Sequence, residues 1–308
     1  MRLVTRLDFD GLICALLLKE KKIITDCKFA HPKDLQDGLV EIDANDVLAN
    51  VPYVPGCGMW FDHHTSEQQR YGKKIDVPGD SRPLLSCARV IWEYYGGHDS
   101  FPPAFDEMMQ AVDKVDSGQL DIEDIETPRG WVLLGLLTDP RTGLGRYRHF
   151  RINNEELARN IIEYCRSMDV HEILELSDVK ERLVVYEQDK EAFRQMIQDN
   201  SKVYGKLVVT DLRHVPNIYV GNRFVLYTIY PNCNISMQIM WGLNKKRVVI
   251  TLGYSILNRT CKLDVGKLML AFGGGGHPQV GTCQVDADRA EETVARIVEA
   301  VEIADNQF

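Results

Sequence analysis

The sequence predicts a two-domain α/β protein: a parallel-sheet domain, a helical connector, and a smaller α/β domain with a mixed sheet. Three observations predict it. Over residues 2–95, short apolar strands alternate with helices, the pattern of a parallel sheet covered on both faces. After Asn200 the texture changes and strands predominate. A length of 308 residues accommodates two domains of ordinary size.

The elements follow in order. Arg2 to Thr5 reads as a strand, and Asp8-Phe9-Asp10-Gly11 as the turn after it. Leu12 to Lys22 is a helix, apolar on its buried side. Asp26 to Ala30 is a second strand, followed by a polar loop from His31 to Gly38. Asp46 to Val51 is a third, stopped by Pro52 and Pro55, and Gly58 to Phe61 a fourth. Ser86 is placed to cap a helix over Cys87 to Tyr95, which Gly96-Gly97 ends. Further helices are expected over Phe105 to Val115, Trp131 to Leu137, Glu155 to Met168 and His171 to Asp199. In the second half, strands are expected at Lys206 to Thr210, Phe224 to Tyr230, Ile235 to Gly242 and Arg247 to Tyr254. A helix over Val265 to Ala271, the run Phe272 to His277, a strand, and a helix over Ala290 to Val301 close the chain. The expected bounds are 1–185 for the first domain, 186–203 for a helical linker and 204–308 for the second.

Composition narrows the function. A net charge of −9 argues against a protein that coats long nucleic acid, which needs a basic face. It leaves room for a small anion held in a locally basic pocket. No apolar run approaches a membrane span. The first residues lack the apolar core of a signal peptide, so a cytoplasmic location is expected. The eight cysteines are scattered without a CxxC pair, which excludes zinc-knuckle and thioredoxin-like patterns and favours free thiols.

The chemistry concentrates in a few places. The apolar run Gly58-Met59-Trp60-Phe61 ends abruptly in Asp62-His63-His64, as a buried strand does when it delivers polar groups to a crevice. Carboxylate with imidazole suits a borderline divalent metal such as Mn, Zn or Fe. Asp8 and Asp10 flank one turn at the same sheet edge and can converge on a cation, although either can equally cap the following helix. Asp116 stands at a helix end, where a turn role is the plain alternative. Four successive glycines, Gly273, Gly274, Gly275 and Gly276, precede His277. Their backbone N–H groups can turn toward an anion, with Phe272 offering a stacking face for a base and His277 a hydrogen bond to phosphate. Arg259, beside Thr260, suits a phosphate or a carboxylate.

Together these residues resemble the DHH phosphoesterase superfamily. Within it they resemble the branch in which a DHH domain precedes a DHH-associated domain of type 1. That branch includes oligoribonucleases, 3′-phosphoadenosine 5′-phosphate phosphatases, cyclic di-AMP phosphodiesterases and exopolyphosphatase-related proteins. The resemblance spans nearly the whole chain and rests on Asp62-His63-His64 and on the glycine run with His277. It implies a manganese site, Mn2+, held by Asp8, Asp10, His63 and Asp116, with Asp62 and His64 supporting catalysis. It implies that Arg259, the glycine run and His277 hold the substrate, in a cleft between the domains. The partner would be a small anionic nucleotide or short single-stranded RNA, not long duplex, and the family allows a homodimer.

The chain also departs from the family pattern. Catalytic members carry a His where Val4 stands, and a metal-bridging Asp where Asn50 stands. Either one metal position is lost, leaving Asp10, His63 and Asp116, or His31 and Asp34 compensate. Arg6 would then meet the substrate phosphate. Asp139 is a second candidate for the fourth acid, and Arg141, Arg146 and Arg148 are candidates to line the cleft. The implied reaction is hydrolysis of a phosphate ester or anhydride. Three functions stay open: a phosphoesterase on a short nucleotide, an exopolyphosphatase, and a nucleotide-binding homologue that does not cleave.

Overall fold

The computed structural model describes residues 1–64 and 75–305. The chain divides into two compact units. One comprises Met1–Gln119 and Thr127–Glu187, the other Leu120–Glu126 and Gln188–Phe308.

The first unit is built on β1 (Arg2–Thr5), α1 (Phe9–Glu20), β2 (Asp26–Phe29), α2 (Pro32–Gln36), β3 (Asp46–Ala49), β4 (Met59–Asp62) and β5 (Gly79–Ser81). The strands form one sheet in the order β2-β1-β3-β4-β5, and every pairing is parallel. A parallel sheet is covered on both faces, so its strands are apolar throughout. Leu3, Val4, Val47, Leu48, Trp60 and Phe61 are buried accordingly. Val4 pairs with Lys28 on one side and Leu48 on the other. It packs into the core with Leu35, Val51 and Trp60.

Helix α1 starts earlier than the sequence suggests. Asp8 caps it, its Oδ1 accepting from the Gly11 amide at 3.1 Å. A Cβ on Gly11 would lie 2.1 Å from the Arg6 carbonyl oxygen, so this first turn can close only on glycine. The expected polar loop after β2 is partly helical. Pro32 pre-sets the backbone of α2 and His31 Nδ1 accepts from the Lys33 amide.

Helices α3 (Cys87–Tyr94) and α4 (Asp106–Asp116) come next. Ser86 caps α3, its Oγ accepting from the Arg89 amide at 3.0 Å. The same hydroxyl donates to Asp113 Oδ1 on α4 at 2.7 Å, while Arg89 donates to Asp113 Oδ2 at 2.8 and 2.6 Å. This network ties the start of α3 to the helix that carries Asp116. The chain continues through α5 (Ile122–Glu126), α6 (Gly130–Thr138), α7 (Asn154–Ser167), α8 (Val170–Glu175) and α9 (Ser177–Asp199). The single helix expected from His171 to Asp199 is broken at Leu176, whose backbone is extended. The long helix ends at Asp199, and the chain then enters a strand.

The second unit contains β6 (Ser201–Tyr204), β7 (Leu207–Asp211), α10 (Val225–Ile229), β8 (Ile235–Trp241), β9 (Arg247–Tyr254), α11 (Val265–Leu270), β10 (Gly275–His277), β11 (Val280–Asp286) and α12 (Ala290–Asp305). Its sheet runs β10-β11-β9-β8-β7-β6, antiparallel except for the β7–β8 pair. Strict alternation along β8 and β9 buries Ile235, Met237, Ile239, Val248, Ile250 and Leu252 under α11 and α12. The strand expected at Phe224 to Tyr230 is instead α10. Val225, Leu226 and Tyr227 are buried in succession, as a helix turn or a strand covered on both faces allows. The helix is fixed by its own bonds: Thr228 Oγ1 donates back to the Val225 carbonyl and the Tyr230 amide to Leu226. Among the described residues, no helix is long and apolar enough to cross a membrane.

Replacing Ser86 by Ala removes both the α3 cap and the link to Asp113. Urea unfolding should show a loss of about 1–2 kcal/mol, the usual cost of deleting a cap.

Candidate active site

The C-terminal edge of the first sheet gathers polar groups that an apolar interior cannot hold. Asp10 lies in the first turn of α1 and is buried. Both its oxygens accept from the start of α3: Oδ2 from the Cys87 amide at 3.0 Å and Oδ1 from the Ala88 amide at 2.7 Å. Helix N-termini hold anions in this way. Burial, reinforced by the charge of Asp8, nevertheless pushes the Asp10 carboxyl up to about 7. Asp116, at the last turn of α4, is also pushed up to about 7, by burial and then by Asp10. Among the described residues, neither acid pairs with a lysine or arginine.

His63 faces both acids. Its Nε2 is 3.2 Å from Asp116 Oδ2 and 3.9 Å from Asp10 Oδ2. Its Nδ1 lies 3.3 Å from the Leu84 carbonyl, which can only accept, so the proton belongs on Nδ1. Desolvation lowers the imidazole's pKa and so favours the neutral ring. In that tautomer Nε2 offers a lone pair toward a carboxylate oxygen, and this buried nitrogen makes no hydrogen bond. With Asp116 ionised, two acceptors converge with no proton between them, an arrangement that suits a cation.

Asp62 ends β4 and orders both histidines after it. Its Oδ1 accepts from the His63 amide at 2.9 Å and pairs with His64 Nδ1 at 2.7 Å. Desolvation pushes the His64 pKa down, but the hydrogen bond and charge of Asp62 outweigh it and leave it raised.

Among the described residues, two groups of three donors lie within 4.8 Å of one another: Asp10, His63 and Asp116, and Asp62, His63 and His64. The first, with two carboxylates and a neutral imidazole, matches the chemistry of a borderline divalent ion. The remaining candidates sit elsewhere. Asp8 is outside both groups and already satisfied: besides the Gly11 amide, its Oδ1 takes Asn50 Nδ2 at 3.1 Å, and its Oδ2 pairs with Arg6 Nε at 3.0 Å. His31 and Asp34 join neither group, and His31 is spent capping α2. Asp139 holds the turn after α6, accepting from the Arg141 backbone and side chain at 2.8 Å each, so Asp116 is the acid that meets His63. Arg141 is held by Asp139, and the charges of Asp8 and Asp116 reach its guanidinium as well, while Arg146 and Arg148 are exposed.

In the second unit the glycine run is more structured than a loop. The Gly273 and Gly274 amides close α11, donating to Leu270 and Met269 carbonyls at 3.0 Å each. Gly273 takes φ +76°, the left-handed value that ends helices. Gly275, Gly276 and His277 form β10. The anion nest expected from four amides therefore loses its first two to the helix end. Phe272, expected as a stacking face, packs against the second core, with the Arg296 guanidinium 5.2 Å from its ring centre. Arg259 is exposed, and its Nε donates to the Ile256 carbonyl.

Sequence reasoning missed the backbone groups that fix the site: the Leu84 carbonyl and the Cys87 and Ala88 amides. Ser86 as a cap was the one available signal, since a capped helix start is a potential anion site.

No family model and no curated protein matches the sequence. Among solved structures, the chain is similar to a pGpG-specific phosphodiesterase, PggH, from Vibrio cholerae. The two are 43% identical over 98% of this chain and 99% of that one, with a TM-score of 0.84. An exopolyphosphatase-related protein from Bacteroides fragilis shares the fold at 14% identity, covering 97% and 91% of the two chains, with a TM-score of 0.51. RecJ from Thermus thermophilus, solved with Mn2+, shares it at 13% identity, covering 98% and 52%, with a TM-score of 0.54. The parallel sheet, the mixed second sheet and the acid–imidazole edge, with the 43% relative, define a hydrolase of the phosphoesterase class. The chain belongs to the DHH phosphoesterase superfamily.

The raised acids set a pH dependence for metal-stripped protein. Asp10 and Asp116 hold their protons more tightly folded, up to about 7, than unfolded, near 3.8. Each therefore contributes stability that is present at low pH and lost as pH rises through 7. Unfolding midpoints measured from pH 4.5 to 7.5 should fall, and Asp116→Asn should flatten the decline.

Proposed function

We propose that the protein is a divalent-metal-dependent phosphoesterase acting on short nucleotides, with a linear dinucleotide of the pGpG type as its leading substrate and Mn2+ as its ion. The observation that carries this reading is the approach of His63 Nε2 to Asp116 Oδ2 and Asp10 Oδ2 with no hydrogen bond between them. The substrate assignment draws on the 43% identical relative, whose described specificity is for pGpG.

Asp10, His63 and Asp116 would hold the ion. When bound, it would acidify a water and polarise a phosphoryl oxygen. The chain's own groups do the rest. The α3 amides fix the Asp10 carboxylate against rotation. The Leu84 carbonyl holds the His63 proton on Nδ1 and so keeps Nε2 basic. Asp62 orients His64 and favours its charged form, a suitable partner for phosphate oxygen. In the second unit, Arg259, Gly275, Gly276 and His277 are assigned to the non-reacting end of the substrate on their chemical types. Eight free cysteines suit a reducing compartment, and the cytoplasm is the proposed location.

The test is turnover of a panel in Mn2+ buffer: pGpG, a 3′,5′-bisphosphorylated adenosine, short RNA, a cyclic dinucleotide and polyphosphate. The expected result is that pGpG is cut fastest. Asp10→Asn and His63→Ala should each lower kcat/KM by roughly a thousandfold. Undiminished turnover by chelator-stripped protein, or cleavage of polyphosphate alone, would refute the proposal.

A further inference from the structure

Four carboxylates crowd the edge of the first sheet, and they are satisfied in different ways. Asp62 has the His63 amide and His64. Asp10 has amide donors, and Asp116 faces His63. Among the described residues, Asp8 is the one of the four that is ion-paired with an arginine. Arg6 Nε lies 3.0 Å from Asp8 Oδ2, and among the described residues Asp8 is the guanidinium's one hydrogen-bond or ion-pair partner.

The other Asp8 oxygen is also committed. It accepts from the Gly11 amide and from Asn50 Nδ2, each at 3.1 Å. The Asn50 amide cannot be reversed, because its oxygen would then face the Asp8 oxygen. Asn50 adopts φ +56°, a left-handed backbone that asparagine tolerates, and only 1% of it is exposed. Its Oδ1 is buried without a partner. A divalent ion drawn to Asp8 would have to displace an N–H donor and stand against a guanidinium that does not deprotonate.

We propose that this site takes one divalent ion per chain. In place of a second ion, Arg6 supplies a fixed positive charge, with its Nη groups directed at a substrate phosphoryl oxygen. Asp8 is then a positioning residue for Arg6 and not a metal ligand, and Asn50 locks Asp8. The Arg6 side chain is 30% exposed, so the guanidinium can meet a ligand from solvent. Its planar fork suits two phosphate oxygens at once. This inference rests on the reading that Asp10, His63 and Asp116 hold an ion.

The experiment is equilibrium dialysis of the full chain against saturating Mn2+, with elemental analysis of bound metal. The expected ratio is one Mn2+ per chain for the native protein and for Arg6→Lys, which keeps the charge. The double variant Arg6→Gln/Asn50→Asp, which removes the guanidinium and adds a carboxylate, should reach two, with a second Mn2+-dependent step in its melting temperature. Two ions on the native protein overturn the inference and leave the proposed function standing. No ion on the native protein overturns the reading beneath it. A folded double variant that stays at one overturns the claim that Arg6 and Asn50 set the count. If the double variant does not fold, Arg6→Gln carries the test through KM for pGpG. A rise of tenfold or more with the Mn2+ ratio still one supports the inference, and an unchanged KM overturns it.

Discussion

The site depends on one interaction: the grip of the α3 amides on the buried carboxylate of Asp10. A negative charge removed from water is costly unless donors surround it. Cys87 and Ala88 supply donors that no side chain has to provide, and the α3 dipole adds its positive end. Ser86 and Asp113 hold that helix start in place, and Asp113 shares α4 with Asp116. The same few contacts that stabilise α3 therefore also fix the distance between the two acids. His63 completes the set because β4 ends beside them and Leu84 fixes its ring.

Two carboxylates two residues apart do different work here. Asp8, just before α1, turns its oxygens to a cap, an amide and a guanidinium. Asp10, inside the first turn, points to α3. Position along the helix makes the difference: the capping residue is extended and reaches its own first turn, while Asp10 follows the helical path inward. Val4 is set apart by its place in the sheet. It is core, packed between β2 and β3, and its neighbours leave it no access to a ligand.

Much of this was legible in the sequence where pattern is strong. Arg2 to Thr5 and Arg247 to Tyr254 appear as read, since apolar runs and strict alternation leave one solution. Asp10, His63 and Asp116 stand out by residue type and do meet. The parts that were not legible fall into two kinds. Local competition decided α10, a short apolar stretch that suits helix or strand alike. Capping decided α2, which His31 and Pro32 start in a polar segment, and the break at Leu176, where the chain turns extended between two helices. Long-range partners decided the rest. Arg6, Asp8 and Asn50 reveal their mutual engagement only when β1 and β3 lie side by side, and backbone donors such as the Ala88 amide leave no residue signature at all. Phe272 reads as a stacking face because it precedes glycines; at the end of α11 its ring is half-buried against the second core.

The short stretch Leu120–Glu126 interleaves the two units along the chain. It lies in sequence within the first unit but belongs to the second, where Glu126 pairs with Arg194 and Thr228 and the Ile125 carbonyl accepts from Asn222. The chain thus passes from one unit to the other three times. A gene fragment cut once at the long helix would yield one piece with a stranded heptapeptide and another lacking an acidic anchor. A single cut at the long helix therefore does not part the two units cleanly.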